Sequence, residues 1–378
     1  MRTVLILTGR YLPGFRDGGP VRSILNLTEW LGDECDIRIM CLDRDHGDTC
    51  AYPDIKEYGY NKVGKAKVWY TERFTDDAVE RLAADADTVY CCGPYNDYAR
   101  IAMRLKKKGK IKAPLYVASM GSFSPEAFKI KGFKKRLFIT YMKLTGMFKN
   151  VVFSVTSSRE EKELKAVVGK DKKCIIATDL PRRGIVKHTA YKEPGKLRLV
   201  FVSRISRKKN LAAIPDIIRS TGKADDISID IYGTPEDEAY LRECIESFEK
   251  LKESFAGFCF EYKGEADSEK VRDIFADHDA FIFPTLGENY GHVIAESLSS
   301  GCIPVISDQT PWLDFDEKNC GFVCTLGESK AFADAVARLC ETDEAGFAGM
   351  RDNCYRYIES VNEDSVKNSG FRTIFCRE

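Results

Sequence analysis

The feature that most constrains the fold of this chain is an alternation of short β-branched segments with helical patterns, repeated in both halves of its 378 residues. Such an alternation is typical of parallel-sheet α/β units. The predicted strands of the first half read TVLILT, DIRIMCL, KVWY, TVYCC, PLYVAS and VVFSV, and those of the second half read LRLVFVS, ISIDIYG, FCFEY, AFIFP and IPVIS. The sequence therefore predicts an α/β protein made of two doubly wound, Rossmann-like domains.

A turn-rich segment separates the two series of strands. Residues 181–196 are polar, contain proline and glycine near both ends and lack periodicity, which is typical of a linker. We therefore predict an N-terminal domain over 1–185, a C-terminal domain over 196–360 and a C-terminal tail over 361–378. Two such domains facing a cleft would bring the loops at the carboxyl ends of both sheets to one site.

Composition excludes several classes of protein. A hydrophobic content of 44% with 31% charged residues is ordinary for a globular chain. No apolar run approaches the ~18 residues of a membrane-spanning helix. The start, MRTVLILTG, is interpreted as a buried strand and not as a signal peptide, so a cytoplasmic protein is expected. The 14 cysteines include no C-x-x-C pair, which favours reduced thiols over a zinc or dithiol site.

The net charge of zero hides an asymmetry along the chain. Residues 1–190 hold 35 Lys and Arg against 23 Asp and Glu, and the remainder holds the opposite balance. Most of the excess lies in residues 101–150, with 13 basic residues and one acid. A basic half and an acidic half suggest modules with different partners. No groove-reading motif or RNP-type aromatic signature accompanies the basic stretch, so nucleic acid is not the expected partner.

Within this stretch, residues 129–149 (KIKGFKKRLFITYMKLTGMFK) combine apolar and basic positions. Seven Lys and Arg residues surround apolar side chains at spacings of three and four, namely Ile130, Phe133, Leu137, Tyr141, Leu144 and Phe148. This pattern is typical of an interfacial helix on anionic lipid, which would place the protein peripherally on the inner face of the membrane. A core-facing helix with a solvated basic side has the same pattern and is the alternative.

Familiar nucleotide and metal motifs are absent or broken. There is no G-x-G-x-x-G fingerprint, so no nicotinamide or flavin cofactor is expected. Residues 59–65 mimic a P-loop, but Ala66 replaces the Ser or Thr that would hold magnesium, and no buried strand precedes the loop. The Asp277-His278-Asp279 triplet has the residue types of a metal site, yet it lies between a helix and the strand AFIFP, which favours a turn.

The stretch 279–311 carries the strongest functional pattern. A buried strand ends at Pro284, a loop carries Glu288, and a helix that starts near Gly291 carries Glu296. Free backbone N–H groups at a helix start favour anions such as phosphate, and carboxylates accept paired hydroxyl bonds. A nucleoside diphosphate sugar has hydroxyl groups at both ends of a diphosphate, so it suits this arrangement. Two solvated glutamates are the alternative interpretation.

These residues resemble the Glu-(seven residues)-Glu signature of family 4 glycosyltransferases, which are retaining enzymes of GT-B fold. The resemblance implies that Glu288 contacts the hydroxyl groups of the donor sugar and that Glu296 binds the ribose diol. It also implies that the backbone amides of Asn289, Tyr290 and Gly291 lie near the sugar and the phosphates.

A second motif, LRLVFVSRISRKKNL, resembles the family pattern G-R-x-x-x-x-K-G. Arg204 and Lys209 fit its spacing, whereas Ser203 and Asn210 occupy positions where glycines are common. Fixed cations stabilise the charge that develops on a departing diphosphate without a metal. No cofactor and no metal site are therefore expected. The D-x-D pairs that could have held a metal precede strands, lie at helix ends or follow Trp312 in a loop, namely Asp85/Asp87, Asp277/Asp279 and Asp314/Asp316.

Two segments of the first half resemble the family more loosely. Gly18 and Gly19 open a helix and resemble a flexible Gly-Gly segment, which implies that their backbone approaches donor phosphate or acceptor. A turn before the N-terminal proline of a helix is the alternative. The loop ASMGSFSP carries Met120 where many relatives have His or Arg before Gly, so no residue is assigned to acceptor activation.

The resemblance covers residues 197–325 closely and 1–180 loosely. It implies a metal-independent, retaining glycosyltransferase of hexosyl type, which moves a sugar from a nucleotide diphosphate donor to a glycan or lipid-linked acceptor in cell-surface polysaccharide biosynthesis. The alternatives are a GT-B sugar-nucleotide epimerase and a nucleotide-sugar-binding regulatory protein without transfer activity.

Overall fold

The chain divides into two compact units. The first combines Met1–Arg183 with Asp364–Glu378, and the second is Gly184–Glu363. The computed structural model describes residues 1–56, 59–125, 128, 132–188, 191–267 and 269–376. The predicted division kept 361–378 apart as a tail, whereas the segment from Asp364 onward is part of the first unit.

An eight-stranded sheet forms the centre of the first unit. Its strands are β1 (Arg2–Leu7), β2 (Cys35–Leu42), β3 (Tyr60–Val63), β4 (Ala66–Thr71), β5 (Thr88–Cys92), β6 (Leu115–Ala118), β7 (Val151–Val155) and β8 (Cys174–Ile176). Their order is β3-β4-β2-β1-β5-β6-β7-β8, and the pairs are parallel except for β3 with β4. The helices between them are α1 (Gly19–Leu31), α2 (Asp76–Ala83), α3 (Asp97–Lys107), α4 (Gly132–Leu144) and α5 (Ser158–Val168).

Both faces of this sheet are buried. Val4 and Ile6 of β1 belong to one apolar cluster, and Leu5 and Leu7 belong to another, because successive side chains of a strand point to opposite faces. This explains why the strands read as continuous apolar runs, as is typical of parallel sheets covered by helices.

The second unit has a six-stranded, all-parallel sheet. Its strands are β9 (Leu197–Val202), β10 (Ile227–Tyr232), β11 (Cys259–Gly264), β12 (Ala280–Phe283), β13 (Ile303–Ser307) and β14 (Phe322–Cys324), in the order β11-β10-β9-β12-β13-β14. Its helices are α6 (Ile214–Ser220), α7 (Glu238–Ser254), α8 (Val271–Ala276), α9 (His292–Ser299), α10 (Phe315–Lys318) and α11 (Ser329–Glu341). The strand order reverses between β9 and β12, so their carboxyl ends flank the place where such sheets bind ligands.

Two further helices close the chain. The long helix α12 (Glu344–Lys367) starts in the second unit and ends in the segment assigned to the first. The last helix, α13 (Gly370–Phe375), buries Phe371 and Phe375, whose rings lie 5.9 and 5.5 Å from the Tyr90 ring of β5. This apolar packing explains why the C-terminal segment is part of the first unit and not a free tail. None of the helices in the described part of the chain is both long and apolar enough to span a bilayer.

The predicted α/β class and the two Rossmann-like sheets are thus confirmed.

Candidate functional site

The loop after β9 carries the predicted cations. A 3-10 turn covers Arg207–Lys209, and Asn210 follows it in the left-handed conformation with φ 59°. Asn210 Nδ2 donates to the carbonyl oxygen of Pro284 at 3.0 Å, at the end of β12. Asparagine tolerates this conformation better than most residues, which explains how it can occupy a position where glycine is common.

The loop after β12 is held by its neighbours on both sides. The Leu286 amide donates to the Lys208 carbonyl oxygen at 2.8 Å, and the Glu288 amide donates to the Gln309 carbonyl oxygen at 3.0 Å. The Thr285 hydroxyl also donates to the Lys208 carbonyl oxygen, at 3.2 Å. The loops after β9, β12 and β13 therefore form one hydrogen-bonded layer at the carboxyl edge of the sheet.

Lys209 and Glu288 form an ion pair within this layer, across 79 residues of sequence. Only 12% of the Lys209 side chain and 15% of the Glu288 side chain are exposed, and Lys209 Nζ lies 5.3 Å from the centre of the Phe283 ring. Burial lowers the pKa of Lys209, while its pairing with Glu288 opposes that shift. The sequence placed both residues in the site, but it gave no sign that they pair with each other.

Arg204 lies in the same loop as Lys209 but in a different environment. Its side chain is 57% exposed and pairs with Glu236, which follows β10. Sequence reasoning missed Glu236, because its only signal is that it stands after the neighbouring strand. Of the two predicted cations, Lys209 is therefore mostly buried and Arg204 is solvated.

The predicted helix start is confirmed. Gly291 precedes α9 with φ 81°, and its carbonyl oxygen accepts from the Ile294 amide at 2.8 Å. A Cβ atom at Gly291 would lie 2.8 Å from Ile294 Cδ1, so a side chain does not fit there without a shift. Glu296 is only 7% exposed within α9, which argues against the interpretation of Glu296 as a solvated helical residue.

The residues between Glu288 and α9 have two environments. Asn289 is exposed, whereas Tyr290 is buried. The ring of Tyr290 lies 5.4 Å from the ring of Trp312, whose indole N–H donates to the Tyr290 carbonyl oxygen. Trp312 thus fixes the backbone just before the helix start, a role that the sequence did not indicate.

In the first unit, Gly18 and Gly19 lie at the start of α1, as predicted. Gly18 has φ 64° and no side chain caps the helix. No atom lies within 4 Å of a Cβ built at either glycine. In the loop before them, Arg10 pairs with Asp17 at 3.0 Å, and Asp17 also lies 3.2 Å from His46 Nδ1.

Two of the acidic pairs considered as metal ligands, Asp85/Asp87 and Asp277/Asp279, precede strands and lie apart from this layer of loops, whereas Asp314 and Asp316 follow β13. The carboxylates of Asp87 and Asp279 accept backbone N–H groups where β5 and β12 begin, at 2.8 and 2.9 Å. Among the described residues, no group of three or more His, Cys, Asp or Glu side chains could hold a metal ion.

Comparison with known proteins bears on both sequence and fold. Residues 196–342 match the family described as glycosyl transferases group 1. No curated protein matches the sequence.

Several solved structures are similar over nearly the whole chain. The Anabaena protein HepE in complex with UDP and glucose has a TM-score of 0.66 at 14% identity, covering 97% of this chain and 99% of that chain. Sucrose-phosphate synthase from Thermosynechococcus elongatus has a TM-score of 0.64 at 11% identity, covering 97% of each chain. The α,α-trehalose-phosphate synthase (UDP-forming) from Burkholderia xenovorans, in complex with glucose-6-phosphate, has a TM-score of 0.67 at 11% identity, covering 99% of this chain and 100% of that chain.

At these identities the likeness shows the fold, which is the GT-B fold that the resemblance implied. The family match adds the part of the chain in which Arg204, Lys209, Glu288 and Glu296 lie. Over residues 196–342, the C-terminal domain of this chain is therefore similar to the group 1 glycosyltransferases.

Proposed function

We propose that this protein is a retaining hexosyltransferase that moves a sugar from a nucleoside diphosphate donor to a glycan or lipid-linked acceptor in cell-surface polysaccharide biosynthesis. The observation that supports it most is the mostly buried Lys209–Glu288 pair beside the helix that buries Glu296. The complexes of HepE with UDP and glucose, and with UDP-glucose, are of the same fold and support a nucleotide sugar as the donor.

In this proposal each group of residues contacts one part of the donor. Glu288 accepts hydrogen bonds from the sugar hydroxyls, and Glu296 accepts them from the ribose diol. The amides of residues 289–291 face the sugar and the phosphates, where free N–H groups favour negative charge. Arg204 and Lys209 face the diphosphate, while Gly18 and Gly19 approach the donor phosphate or the acceptor.

The reaction breaks the bond between the anomeric carbon and the diphosphate oxygen. Lys209 and Arg204 stabilise the charge that develops on that oxygen, because preorganised cations need no reorganisation during the reaction. The acceptor hydroxyl attacks the same face of the sugar and gives its proton to the departing phosphate oxygen. The anomeric configuration is then retained, and NMR of the anomeric proton in donor and product tests this, since inversion would contradict the scheme.

The division of roles between the two glutamates has its own test. A thermal-shift screen of nucleotide sugars would first find a donor, because a ligand at 100-fold excess over its Kd adds about 2.7 kcal/mol to stability. Glu296→Ala should weaken binding of the free nucleoside diphosphate, whereas Glu288→Ala should keep that binding and lose most transfer. Equal weakening of nucleotide binding by both variants would refute the assignment.

Three outcomes of these assays separate the alternatives. Transfer supports the proposal. Conversion of the nucleotide sugar without an acceptor would indicate an epimerase. Donor binding with neither transfer nor slow donor hydrolysis would indicate a regulatory binding protein.

Metal independence follows from the roles given to the two cations. Lys209→Ala and Arg204→Ala should each reduce kcat by about 10²–10³-fold, the usual effect of removing one preorganised charge donor. Arg207→Ala is the matched control, because Arg207 belongs to the same loop but is 66% exposed and pairs with Glu243. Wild-type turnover should survive excess chelator, and loss of turnover that magnesium or manganese restores would overturn this part.

We also propose that α4 binds anionic lipid, which would bring the enzyme to a lipid-linked acceptor. Of the predicted segment 129–149, residues 129–131 lie outside the described residues, and Phe148 is buried in the core. Four apolar side chains of α4 are exposed, with exposed fractions of 81, 62, 58 and 84% for Phe133, Leu137, Tyr141 and Leu144.

The spacing of these four residues places them on one face of α4. Ile139 and Met142 are buried on the opposite face and anchor the helix to the unit. Exposed Lys134, Arg136 and Lys143 lie to either side of the apolar stripe. An apolar face bordered by cations is the arrangement that an anionic bilayer surface attracts.

Vesicle flotation tests this surface. The protein should float with vesicles of phosphatidylglycerol and phosphatidylcholine at low salt, and less so as salt screens the charges. Reversing Lys134, Lys135 and Arg136 to Glu should release it, whereas reversing exposed Lys162, Lys170 and Lys173 of the same unit should not. Unchanged flotation of the folded first variant would refute the lipid surface without affecting the proposed transfer.

A further inference from the structure

Two cysteines that are far apart in the sequence meet in the first unit. Cys35 is the first residue of β2, and Cys376 follows α13 at the end of the described chain. Their Sγ atoms lie 3.1 Å apart. A disulfide bond is ~2.05 Å long, so about 1 Å of approach separates this arrangement from a covalent bond.

Several contacts hold the two sulfur atoms together. The Cys35 thiol lies 3.6 Å from the Phe375 carbonyl oxygen, to which it donates. The Thr88 hydroxyl donates to the Ile374 carbonyl oxygen at 3.2 Å. Arg372 pairs with Glu34, the residue before Cys35, through two bonds of 2.6 and 2.8 Å. The meeting of the thiols is therefore built by the packing of α13 against β2 and β5.

We propose that Cys35 and Cys376 are an oxidation site of this protein, which a small-molecule disulfide such as glutathione disulfide converts into an intramolecular disulfide bond. The bond ties the C-terminal segment to the sheet of the first unit. This inference does not depend on the proposed transfer activity.

The reaction proceeds in two balanced steps. Cys376 is partly exposed, so its thiolate can attack glutathione disulfide, giving a mixed disulfide and one reduced glutathione. Cys35 then loses its proton to solvent and attacks Cys376 Sγ. The Cys35–Cys376 bond forms, and a second glutathione leaves, reduced.

The order of the steps follows from burial. Cys35 is 1% exposed, so a bulky disulfide cannot reach it first. Burial, together with the adjacent Cys376, raises the pKa of Cys35 to about 12. Since the thiolate is the nucleophile, ring closure should be the slower step and should become faster as pH rises.

The consequence of the bond lies in the C-terminal segment. Phe371, Ile374 and Phe375 of α13 are already buried against the first unit. In the reduced protein only non-covalent packing holds this helix to the sheet, so it can open locally without breaking a covalent bond. In the oxidised protein, opening of α13 requires movement of β2 as well.

Peptide mass spectrometry gives the direct test. The full chain is incubated with glutathione disulfide under native conditions, its remaining thiols are alkylated, and the protein is digested without reductant. A peptide pair linking Cys35 with Cys376, lost after dithiothreitol, is the expected result. A glutathione adduct on Cys376 with Cys35 still alkylated, or no change at either residue, would overturn the proposal.

Variants and exchange rates make the test specific. Cys35→Ser should stop the reaction at the glutathione adduct of Cys376, and Cys376→Ser should leave Cys35 reduced. Cys50→Ser is the matched control, because Cys50 is exposed elsewhere in the same unit and its loss should not change the linkage. Deuterium exchange of α13 should slow at least tenfold on oxidation in the wild type and not in Cys376→Ser. Equal slowing in Cys376→Ser would show that the bond is not its cause.

Discussion

In each unit, an aspartate that precedes a strand accepts a backbone N–H group of the neighbouring strand and so caps it. The two aspartates are buried to very different extents. In the first unit, Asp87 precedes β5 and accepts the Thr3 amide of β1 at 2.8 Å. In the second, Asp279 precedes β12 and accepts the Arg198 amide of β9 at 2.9 Å. Each aspartate also donates its own amide to the carbonyl oxygen of the same partner. The local geometry is therefore the same in both units.

The surroundings of the two carboxylates differ. Asp87 is exposed to solvent, whereas Asp279 is 1% exposed and also accepts from the Arg198 guanidinium, at 2.8 and 3.1 Å. Arg351, itself only 7% exposed, lies 3.8 Å from Asp279. Removal of one partner of a buried ion pair leaves an uncompensated charge, which a solvated cap does not. The comparison shows that burial of the carboxylate, and not its place in a D-x-D pattern, determines how much such an aspartate contributes to stability.

The largest effect is expected for Asp279→Ala. It should lower the free energy of unfolding by about 3–5 kcal/mol, because Arg198 and Arg351 would lose their shared buried anion. Hydrogen exchange of the β9 and β12 amides measures this within the second unit.

Asp279→Asn separates the charge from the cap, since the amide keeps an acceptor for the Arg198 N–H. It should be nearly as destabilising as Asp279→Ala. If the stability of Asp279→Asn were close to that of wild type, the hydrogen bond to the Arg198 amide would be the main contribution of Asp279. The buried charge would then not distinguish the two units.

The two units also differ at the first residues of α1 and α9, the helices that follow Gly18 and Gly291. Gly291 and Gly18 both have positive φ, but only Gly291 has a neighbour that a Cβ would meet. Gly291→Ala should therefore cost about 2–3 kcal/mol, from backbone strain and crowding against Ile294, and Gly18→Ala about 1–2 kcal/mol from strain alone. Urea unfolding followed by hydrogen exchange measures both, with Gly19→Ala as a near-neutral control because Gly19 lies in ordinary helical backbone. Equal losses at both glycines would show that crowding at Gly291 is relieved by movement of Ile294.

Asp87→Ala should have a smaller effect than either. It removes one backbone cap at an exposed site, for which about 1 kcal/mol is usual. Exchange of the β1 amides is the measurement. A loss as large as that of Asp279→Ala would break the comparison, because it would mean that solvent does not replace the cap.

The smallest effects are expected at the first acids of the two D-x-D pairs. Asp85 and Asp277 are exposed, so replacing either with Ala should change stability by about 0.5 kcal/mol or less. Manganese should shift the melting temperature of the wild type and of both variants equally. A manganese shift that is lost in one variant would instead identify a metal site at that pair.

Much of the fold and of the candidate site could be predicted from the sequence because the signals are local. The apolar runs of β9 and β12 identify buried strands, and the spacing from Glu288 to Glu296 needs only a strand, a loop and a helix start. The left-handed residue after Lys209 could also be predicted, since asparagine there suits the position. What could not be predicted is the partner of each charge, because Lys209 and Glu288 are joined only by the adjacency of β9 and β12.

The helix α4 shows what the sequence alone cannot determine. The sequence determined that its apolar residues recur at helical spacing among basic residues, which is equally consistent with packing in a core and with binding a membrane. The tertiary structure decided that Ile139 and Met142 face the unit while Phe133 and Leu144 face solvent. It likewise decided which of two aspartate caps is buried and which two of the 14 cysteines meet. The physical reason is the same each time: periodicity and propensity act over a few neighbouring residues, whereas burial and charge pairing depend on which segments pack together across the folded chain.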